Sequence, residues 1–143
     1  MNGSLDISVS GMIAQRTRLN TIAANIANQD AIADAAGNPN PFRRRIPIFR
    51  PGNPDALTAA GRSLGVHVAE IDLDESEFRK KWDPSNPYAR PEGTPDAGYV
   101  YYPNIDPVTE QVNAMEAVRA YEANVRAAEA TKTMLAQALR LIA

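Results

Sequence analysis

The stretch AMEAVRAYEANVRAAEATKTMLAQALRLI, residues 114–142, decides the fold because its apolar residues repeat every seven positions. The repeat forms two rows, which contain Ala114, Tyr121, Ala128, Leu135 and Ile142 in one and Val118, Val125, Lys132 and Leu139 in the other. Alternating steps of four and three over several heptads are typical of a coiled-coil helix. We therefore predict a C-terminal coiled-coil helix within residues 104–143.

The N-terminal residues 1–30 have the same period. One row contains Leu5, Met12, Leu19 and Ile26, and the other contains Val9, Arg16 and Ala23. The pattern predicts a second helix that pairs with the C-terminal one as a coiled coil. Arg16 and Lys132 stand in apolar rows, so we expect each to face a carboxylate or a carbonyl group in an assembly.

Two asparagines interrupt the apolar end of the N-terminal helix, in TIAANIANQD (21–30). Asn25 and Asn28 are three residues apart and share a helix face, where their amides can donate and accept hydrogen bonds across a close helix contact. The alternative is a helix that ends here with Asn28 as its C-cap.

The middle of the chain, residues 31–103, contains every proline except Pro107 and has a different pattern. Residues 43–49, 65–74 and 99–102 are rich in Val, Ile, Phe and Tyr and are candidate β-strands. Residues 82–98 form a long Pro/Gly-rich stretch, which predicts an extended loop. The expected fold is mainly α, with paired terminal helices and a small β-containing middle lobe.

Composition excludes several classes of function. The 15 basic and 17 acidic side chains give a net charge of −2, so no global field favours nucleic acid. No run of about 18 apolar residues predicts membrane insertion, and the first 25 residues do not resemble a cleaved signal peptide. The partners of such a chain are expected to be proteins.

Candidate chemical sites are weak. His67 is the sole histidine, lies between two valines and, without a cysteine or second histidine, is interpreted as structural. Residues 72–83 resemble a calcium loop, but Glu77 replaces the required glycine and Asp83 the bidentate glutamate. The arginines at 43, 44, 45 and 50 are complemented by five carboxylates between Glu70 and Glu77. We predict no enzyme activity, no cofactor and no metal site.

Both ends of the chain resemble a known family. SGMIAQRTRLNTIAANIANQD (10–30) and the sequence from GYVYYPNID (98–106) through RAYEANV (119–125) resemble the axial proteins of the bacterial flagellum, and in particular its short proximal-rod members. The matching positions are Asn25, Ile26, Ala27 and Asn28 at the N-terminal end, and Asn104, Asp106, Tyr121, Glu122 and Asn124 at the C-terminal end. The chain departs from the family at Ala24, where a second asparagine is common, and at 110–112, where Glu-Gln-Val replaces Glu-Met-Val.

The resemblance implies a structural subunit of the basal-body rod that serves cell motility. It implies a helical tube that transmits torque and encloses an export channel, and export through the type III apparatus without leader cleavage. The implied partners are copies of this chain, other rod proteins, ring and adaptor proteins, and the export apparatus in transit. The expected location is the rod that spans the periplasm.

We expect the heptad rows and the matching positions to form subunit interfaces. These residues are Leu5, Met12, Arg16, Leu19, Asn25, Ile26, Asn28, Asn104, Asp106, Val118, Tyr121, Glu122, Asn124, Val125, Lys132, Leu135 and Leu139. The alternatives are another axial rod paralogue, or a cytoplasmic coiled-coil adaptor or export chaperone that binds through the middle lobe. Presence in purified basal bodies would exclude the cytoplasmic alternative.

Overall fold

The computed structural model describes residues 2–142, with side chains described for residues 3–141. Residues 2–142 form three helices and four strands in the order α1 (Asn2–Ala27), β1 (Arg45–Pro51), α2 (Ala59–Leu64), β2 (Val66–Leu73), β3 (Arg79–Trp82), β4 (Tyr99–Tyr102) and α3 (Pro107–Ile142). Two helices therefore flank a middle region that contains β-strands, as predicted, and these strands form two small sheets. The short helix α2 and the strand β3 were not predicted.

The two long helices pack against each other in opposite directions. Gly11 of α1 lies against Asn124 of α3, Arg18 bonds to Glu116, and Asn25 bonds to Glu110. The partner number falls as the α1 number rises, so the helices are antiparallel. With 36 residues against 26, α3 is the longer helix, and its last turns extend beyond the start of α1.

The contact between these helices follows the predicted heptad rows only in part, because Ala128 is the one row member with a described side chain that is buried. Its buried positions carry mainly small residues, among them Gly11, Ala14, Ala117 and Ala128. A Cβ atom on Gly11 would lie 2.7 Å from Nδ2 of Asn124, so the Asn124 side chain packs directly against the backbone of Gly11. Small residues occupy the inner face because they permit the two helices to approach closely, which large apolar side chains would prevent.

Most members of the predicted rows consequently lie beside or outside this contact. Leu5, Met12, Leu19, Ile26, Val125 and Leu135 are half-buried, whereas Val9, Arg16, Val118, Lys132 and Leu139 are exposed. The side chain of Ile142 lies outside the described residues. Apart from Ala128, the rows therefore contribute no buried residue to the seam within one chain, which corrects the sequence analysis on the position of that seam.

The middle region contains two antiparallel sheets of two strands each. β1 pairs with β2 with a bulge after Ile48, and β3 pairs with β4. The first sheet is fixed to α1, because the Val66 N–H donates to Ser10 Oγ at 3.0 Å. Helix α2 is fixed to the same helix by its N-cap Thr58, whose hydroxyl donates to Asp6 Oδ2 at 2.6 Å.

Residues 83–98 connect β3 to β4 through successive turns that fold back on the sheet. The Asp83 N–H donates to Gly98 O at 3.1 Å, and the Gly98 N–H donates to Arg90 O at 2.9 Å. Gly98 has φ of +79°, and a Cβ atom there would lie 2.6 Å from the Trp82 ring. A side chain at position 98 would therefore be both strained and obstructed.

None of the helices formed by residues 2–142 combines the length and the apolar character needed to cross a membrane.

Candidate functional site: a buried polar joint and the outer faces of the helices

Polar side chains from α1, from α3 and from the residues next to β1, β2 and β4 meet where α1 ends, β1 begins, β2 ends and α3 begins. We call this cluster the polar joint; its members are Asn25, Arg44, Asp74, Asn104 and Glu110. Asn25 and Glu110 are each 1% exposed. Buried polar groups cost free energy unless they are paired, so the bonds of each member decide what the cluster does.

Asn25 connects α1 to β1 and α3. Its Nδ2 donates to the Arg45 carbonyl oxygen and to Glu110 Oε2, both at 2.9 Å, and its Oδ1 accepts from the Arg45 N–H at 2.9 Å. The amide thereby bonds to the N–H and C=O of Arg45, as a neighbouring strand would, and also bonds to the carboxylate of Glu110. Asn25 was predicted to lie between subunits, but both N–H groups of its Nδ2 and its Oδ1 form hydrogen bonds within the chain.

Glu110 and Arg44 form the charged centre of the joint. The Arg44 Nε and Nη2 atoms each lie 2.8 Å from Glu110 Oε1, and Arg44 Nη1 lies 3.4 Å from Asp74 Oδ2. Burial alone would lower the pKa of Arg44, but the hydrogen bond and charge of Glu110, followed by those of Asp74, raise it overall. The guanidinium therefore stays charged, and its two carboxylate partners neutralise it.

Asn104 connects the start of β1 to the end of β2. Its Oδ1 accepts from the Arg44 N–H at 2.9 Å, and its Nδ2 donates to Asp74 O and Ser76 Oγ, each at 2.9 Å. Hydrogen bonds from the Ser76 N–H and hydroxyl, and then Arg44, lower the pKa of Asp74. Asn104 therefore forms its hydrogen bonds within the chain. The sequence analysis had placed it at a subunit interface instead.

Two predicted residues cap the helices next to the joint. Asp106 accepts hydrogen bonds from Val108 N, Thr109 N and Thr109 Oγ1 at 3.2, 3.3 and 2.6 Å, and these bonds, first that of the Thr109 hydroxyl, lower the pKa of Asp106. Asn28 donates from Nδ2 to Ala24 O at 2.8 Å, at the end of α1. This local bond agrees with the helix-end interpretation of Asn28.

The outer faces of the helices carry the exposed part of the predicted interface. Val9 is 44% exposed, Val118 43% and Leu139 60%. Tyr121 and Glu122 are also exposed, whereas Asn124 is half-buried and donates to Ala120 O at 2.9 Å. These faces are the surfaces on which another helix could pack without any change in the chain.

Arg44, Asp74 and Glu110 were not singled out as site residues by the sequence analysis. The one signal for Glu110 is its position in the first turn of α3, where a carboxylate favours the helix dipole. Nothing in the local sequence indicates that it is buried or that its partner lies at Arg44. The partners in this ion pair are distant in sequence, and the fold alone brings them together.

The described residues contain no group of three His, Cys, Asp or Glu side chains that could hold a metal ion. His67 Nδ1 lies 2.6 Å from the Gly52 carbonyl oxygen. A carbonyl only accepts, so Nδ1 carries the proton, and the imidazole joins β2 to the turn after β1.

Comparisons with known proteins agree with these two helical ends. A family model described as flagella basal body rod protein matches residues 5–31, and one described as flagellar basal body rod FlgEFG protein C-terminal matches residues 96–141. The chain is 35% identical to flagellar basal-body rod protein FlgC of Bacillus subtilis, with 96% of this chain and 95% of the relative covered. It is 40% identical to the FlgC protein of Aquifex aeolicus, with 90% and 87% covered, and 37% identical to that of Escherichia coli O157:H7, with 95% and 93% covered.

Proposed function

We propose how this subunit assembles from the premise that the chain belongs to the FlgC family of flagellar basal-body rod proteins. The resemblance of the two ends to flagellar axial proteins is thereby confirmed. The protein is a structural subunit of the bacterial flagellar rod, and its location is the basal body.

In the proposed assembly, the outer faces of α1 and α3 pack against the helices of neighbouring subunits as a coiled coil. The neighbours are copies of this chain and other rod proteins, with ring and adaptor proteins at the base of the rod. The helical ends, residues 1–30 and 104–143, form the tube around an export channel, and residues 31–103 lie outside it with the 82–98 loop directed at a neighbour. The tube transmits torque.

The proposal is carried by one observation, the exposed apolar members of the heptad rows on both long helices. Val9, Val118 and Leu139 stand on outer faces while small residues fill the contact between the helices. An apolar row that repeats every seven residues packs into a matching row on another helix, so the exposed members of such a row support an interaction site on these faces.

Charged residues in the rows are part of the same proposal. Arg16 and Lys132 are exposed in the single chain, where a charge costs little. In the assembly each would face a carboxylate or a carbonyl of a neighbour, which would fix the register of the packed helices. Export before assembly, through the type III apparatus and without leader cleavage, completes the proposed route.

The test replaces an outer-row residue without disturbing the fold. Val118→Asp adds a charge to a position that is exposed in the single chain, so the helix content of the purified protein should not change. In cells that lack the wild-type chain, we expect the variant to be lost from purified basal bodies and swimming to stop. Arg119→Asp, one residue away and also exposed, controls for the added charge. Normal rod content and motility with Val118→Asp would contradict the proposal.

A further inference from the structure

The two edges of the β1–β2 sheet differ in whether prolines protect them against the addition of another strand. Within residues 2–142 the sheet has two strands, so each strand has one edge that no other strand covers. β1 contains Pro47, which pairs with Ile71, and Pro51, which pairs with Val66. Prolines lack an N–H and prevent a further strand from adding to an edge. β2 contains no proline, so only the β1 side of the sheet is protected in this way.

Hydrogen bonds at the two ends of β2 identify the backbone groups on its open edge. The Val66 N–H donates to Ser10 Oγ, and the Leu73 N–H donates to Oδ1 of Asp72 at 2.8 Å, so both N–H groups point away from β1. Backbone groups alternate between the two edges of a strand, and the bulge after Ile48 shifts this alternation by one residue. The N–H groups of Val68 and Ile71 therefore also point to the open edge.

A groove runs along this open edge beside α1. It has a volume of ≈ 470 Å³, and its walls include Ile13, Ala14 and Thr17 of α1 and residues 66–71 of β2. The last five residues of β2, 69–73, are all exposed, and Ile71 is 49% exposed. An open strand edge is a site at which an extended segment adds by main-chain hydrogen bonds, while side chains select the partner.

Charge selects the segment that fits this edge. Glu70 and Asp72 are exposed and alternate with the outward N–H of Ile71. In an added antiparallel strand, the residues opposite them would occupy non-hydrogen-bonded pairs, in which side chains are closest. Like charges in such pairs are destabilising, which disfavours β2 of another copy and favours a basic strand.

The chain itself contains such a strand. β3, with the sequence Arg-Lys-Lys-Trp (79–82), also belongs to a two-stranded sheet, and all four residues are exposed. The Tyr99 carbonyl accepts from the Arg90 N–H at 3.0 Å and the Tyr99 N–H donates to Asp96 O, so both groups point away from β3. Because Tyr99 pairs with Trp82, the backbone groups of Trp82 and Lys80 point to the open edge of β3.

We propose that β3 of one copy adds antiparallel to the open edge of β2 in a second copy. Glu70 then lies opposite Lys81, Ile71 opposite Lys80 and Asp72 opposite Arg79, and the two sheets join into one sheet of four strands. In this alignment the outward backbone groups of Ile71 and Lys80 form a hydrogen-bonded pair. Arg79 donates Nε to Pro103 O and Nη2 to Gln29 O, and its remaining donors can reach Asp72.

This contact rests on the proposed rod function and names one place where copies meet. It joins different surfaces of two copies, so each copy keeps one open β2 edge and one open β3 edge for the next. A contact of this kind forms a closed ring if the rotation between successive copies closes, and an open helical filament if it does not. Two-stranded sheets are marginal alone, and the joined sheet would stabilise both copies.

Cysteine pairs test the proposed alignment, because the chain contains no cysteine of its own. Full-length Glu70→Cys protein is mixed with full-length Lys81→Cys protein under mild oxidation, at concentrations where the wild-type chain associates. The two positions lie in a non-hydrogen-bonded pair with Cα atoms about 4.5 Å apart, within reach of a disulfide. We expect a disulfide-linked dimer of the two variants and little dimer from either variant alone.

Lys80→Cys is the matched control, since its side chain points to the opposite face of β3. We expect it to link to Glu70→Cys about tenfold less than Lys81→Cys does, because its Cβ vector points away from the partner thiol. Equal linking by Lys80→Cys, or no linking in a mixture that still associates, would overturn the proposal.

Removal of one N–H gives an independent measurement. Ile71→Pro deletes an outward donor without removing a bond to β1, whereas Ile71→Thr at the same position keeps the donor. We expect Ile71→Pro to weaken self-association about tenfold in sedimentation experiments, and Ile71→Thr to change it far less. Unchanged association of Ile71→Pro would overturn the contact. If Ile71→Pro failed to change association and also entered basal bodies normally, the contact would be wrong and the rod function would stand. Absence of the wild-type chain from basal bodies would instead overturn the rod function.

Discussion

The two ends of the α1–α3 helix pair differ in how many of their side chains find partners within the chain. At one end, the end of α1 and the start of α3 are joined through Asn25, Arg44 and Glu110, whose polar groups bond to one another or to β1. At the other end, α3 continues past the start of α1, and Leu139 and Leu141 are exposed. We call the second region the far end.

This difference separates what the chain needs to fold from what it needs to assemble. The joint contains buried charges, which are costly when one partner is missing. The far end contains apolar side chains that the single chain leaves in water, where substitutions change stability little. Variants in the joint should therefore reduce the stability of the single chain, whereas variants at the far end should reduce assembly and leave that stability nearly unchanged.

The largest effect is expected from Glu110→Ala in the joint. The substitution leaves the buried Asn25 amide without its acceptor on Glu110 and the half-buried Arg44 with only its 3.4 Å contact to Asp74, which costs about 3–5 kcal/mol in the free energy of unfolding. Urea denaturation followed by circular dichroism measures the loss. Glu116→Ala is the control, because Glu116 also pairs with an arginine, at 3.2 Å, but is largely exposed, and we expect a loss of less than about 1 kcal/mol. Similar losses for both would contradict a buried joint.

The second effect concerns Asn25→Leu. Leucine fits a helix, but it leaves the N–H and C=O of Arg45 and one oxygen of Glu110 without a partner. We expect a loss of about 1–3 kcal/mol in the free energy of unfolding, in the same denaturation experiment. Asn28→Ala removes one bond to Ala24 O in a more accessible place and should cost less. A folded, fully stable Asn25→Leu protein that fails only in assembly would restore the predicted role of Asn25 between subunits.

Acid should weaken the joint before it affects the far end. The pKa of Asp74 is lowered in the folded chain, so the unfolded chain binds a proton at a higher pH than the folded one does. The stabilisation from Asp74 is therefore complete above its unfolded pKa of about 3.9 and is lost as pH falls through the lowered folded value. Denaturation midpoints measured between neutral pH and pH 3 should fall mainly below about pH 4.

Asp74→Asn is the control for this titration. It removes the charge at neutral pH, and the remaining acid sensitivity should be smaller than in the wild type. Asp34, Asp83, Asp96 and Asp106 also have lowered pKa values and keep part of the sensitivity. A variant with the same pH profile as the wild type would remove Asp74 from the explanation.

The smallest effect on stability is expected at the far end. Leu139→Ser exchanges an exposed leucine, so the free energy of unfolding should change by less than about 0.5 kcal/mol. Its effect should be seen in assembly instead, as weaker incorporation into basal bodies. Ala136→Ser, on the same stretch of helix and also exposed, is a matched control with little apolar surface to lose. A large loss of stability in Leu139→Ser would mean that the far end is packed within the chain.

Periodicity predicted the terminal helices, and β-branched and aromatic residues predicted three of the four strands. β3 was missed because Arg79, Lys80 and Lys81 are poor indicators of a strand. α2 was missed because it has six residues and depends on a cap and on its contact with α1. Both omissions are elements whose stability comes from neighbours in space and not from their own sequence.

The heptads correctly marked apolar rows but not the face that turns inward within one chain. Each helix has a row of large apolar residues and a face of small ones, and sequence alone does not say which face meets the other helix and which meets another subunit. Asn25 was recognised as an unusual polar residue, but its partner Glu110 lies 85 residues away. A contact over that distance depends on the whole fold.

The same separation sets the order of events when the chain folds. Bringing Asn25 to Glu110 closes a loop of most of the molecule, and contacts between such distant residues form late because their entropy cost precedes their gain. A chain that emerges from a narrow channel with its N-terminus first cannot complete this contact until residue 110 has also emerged. In the proposed export route, the joint would therefore form only after nearly all of the subunit has left the channel, and the subunit would reach its final shape late.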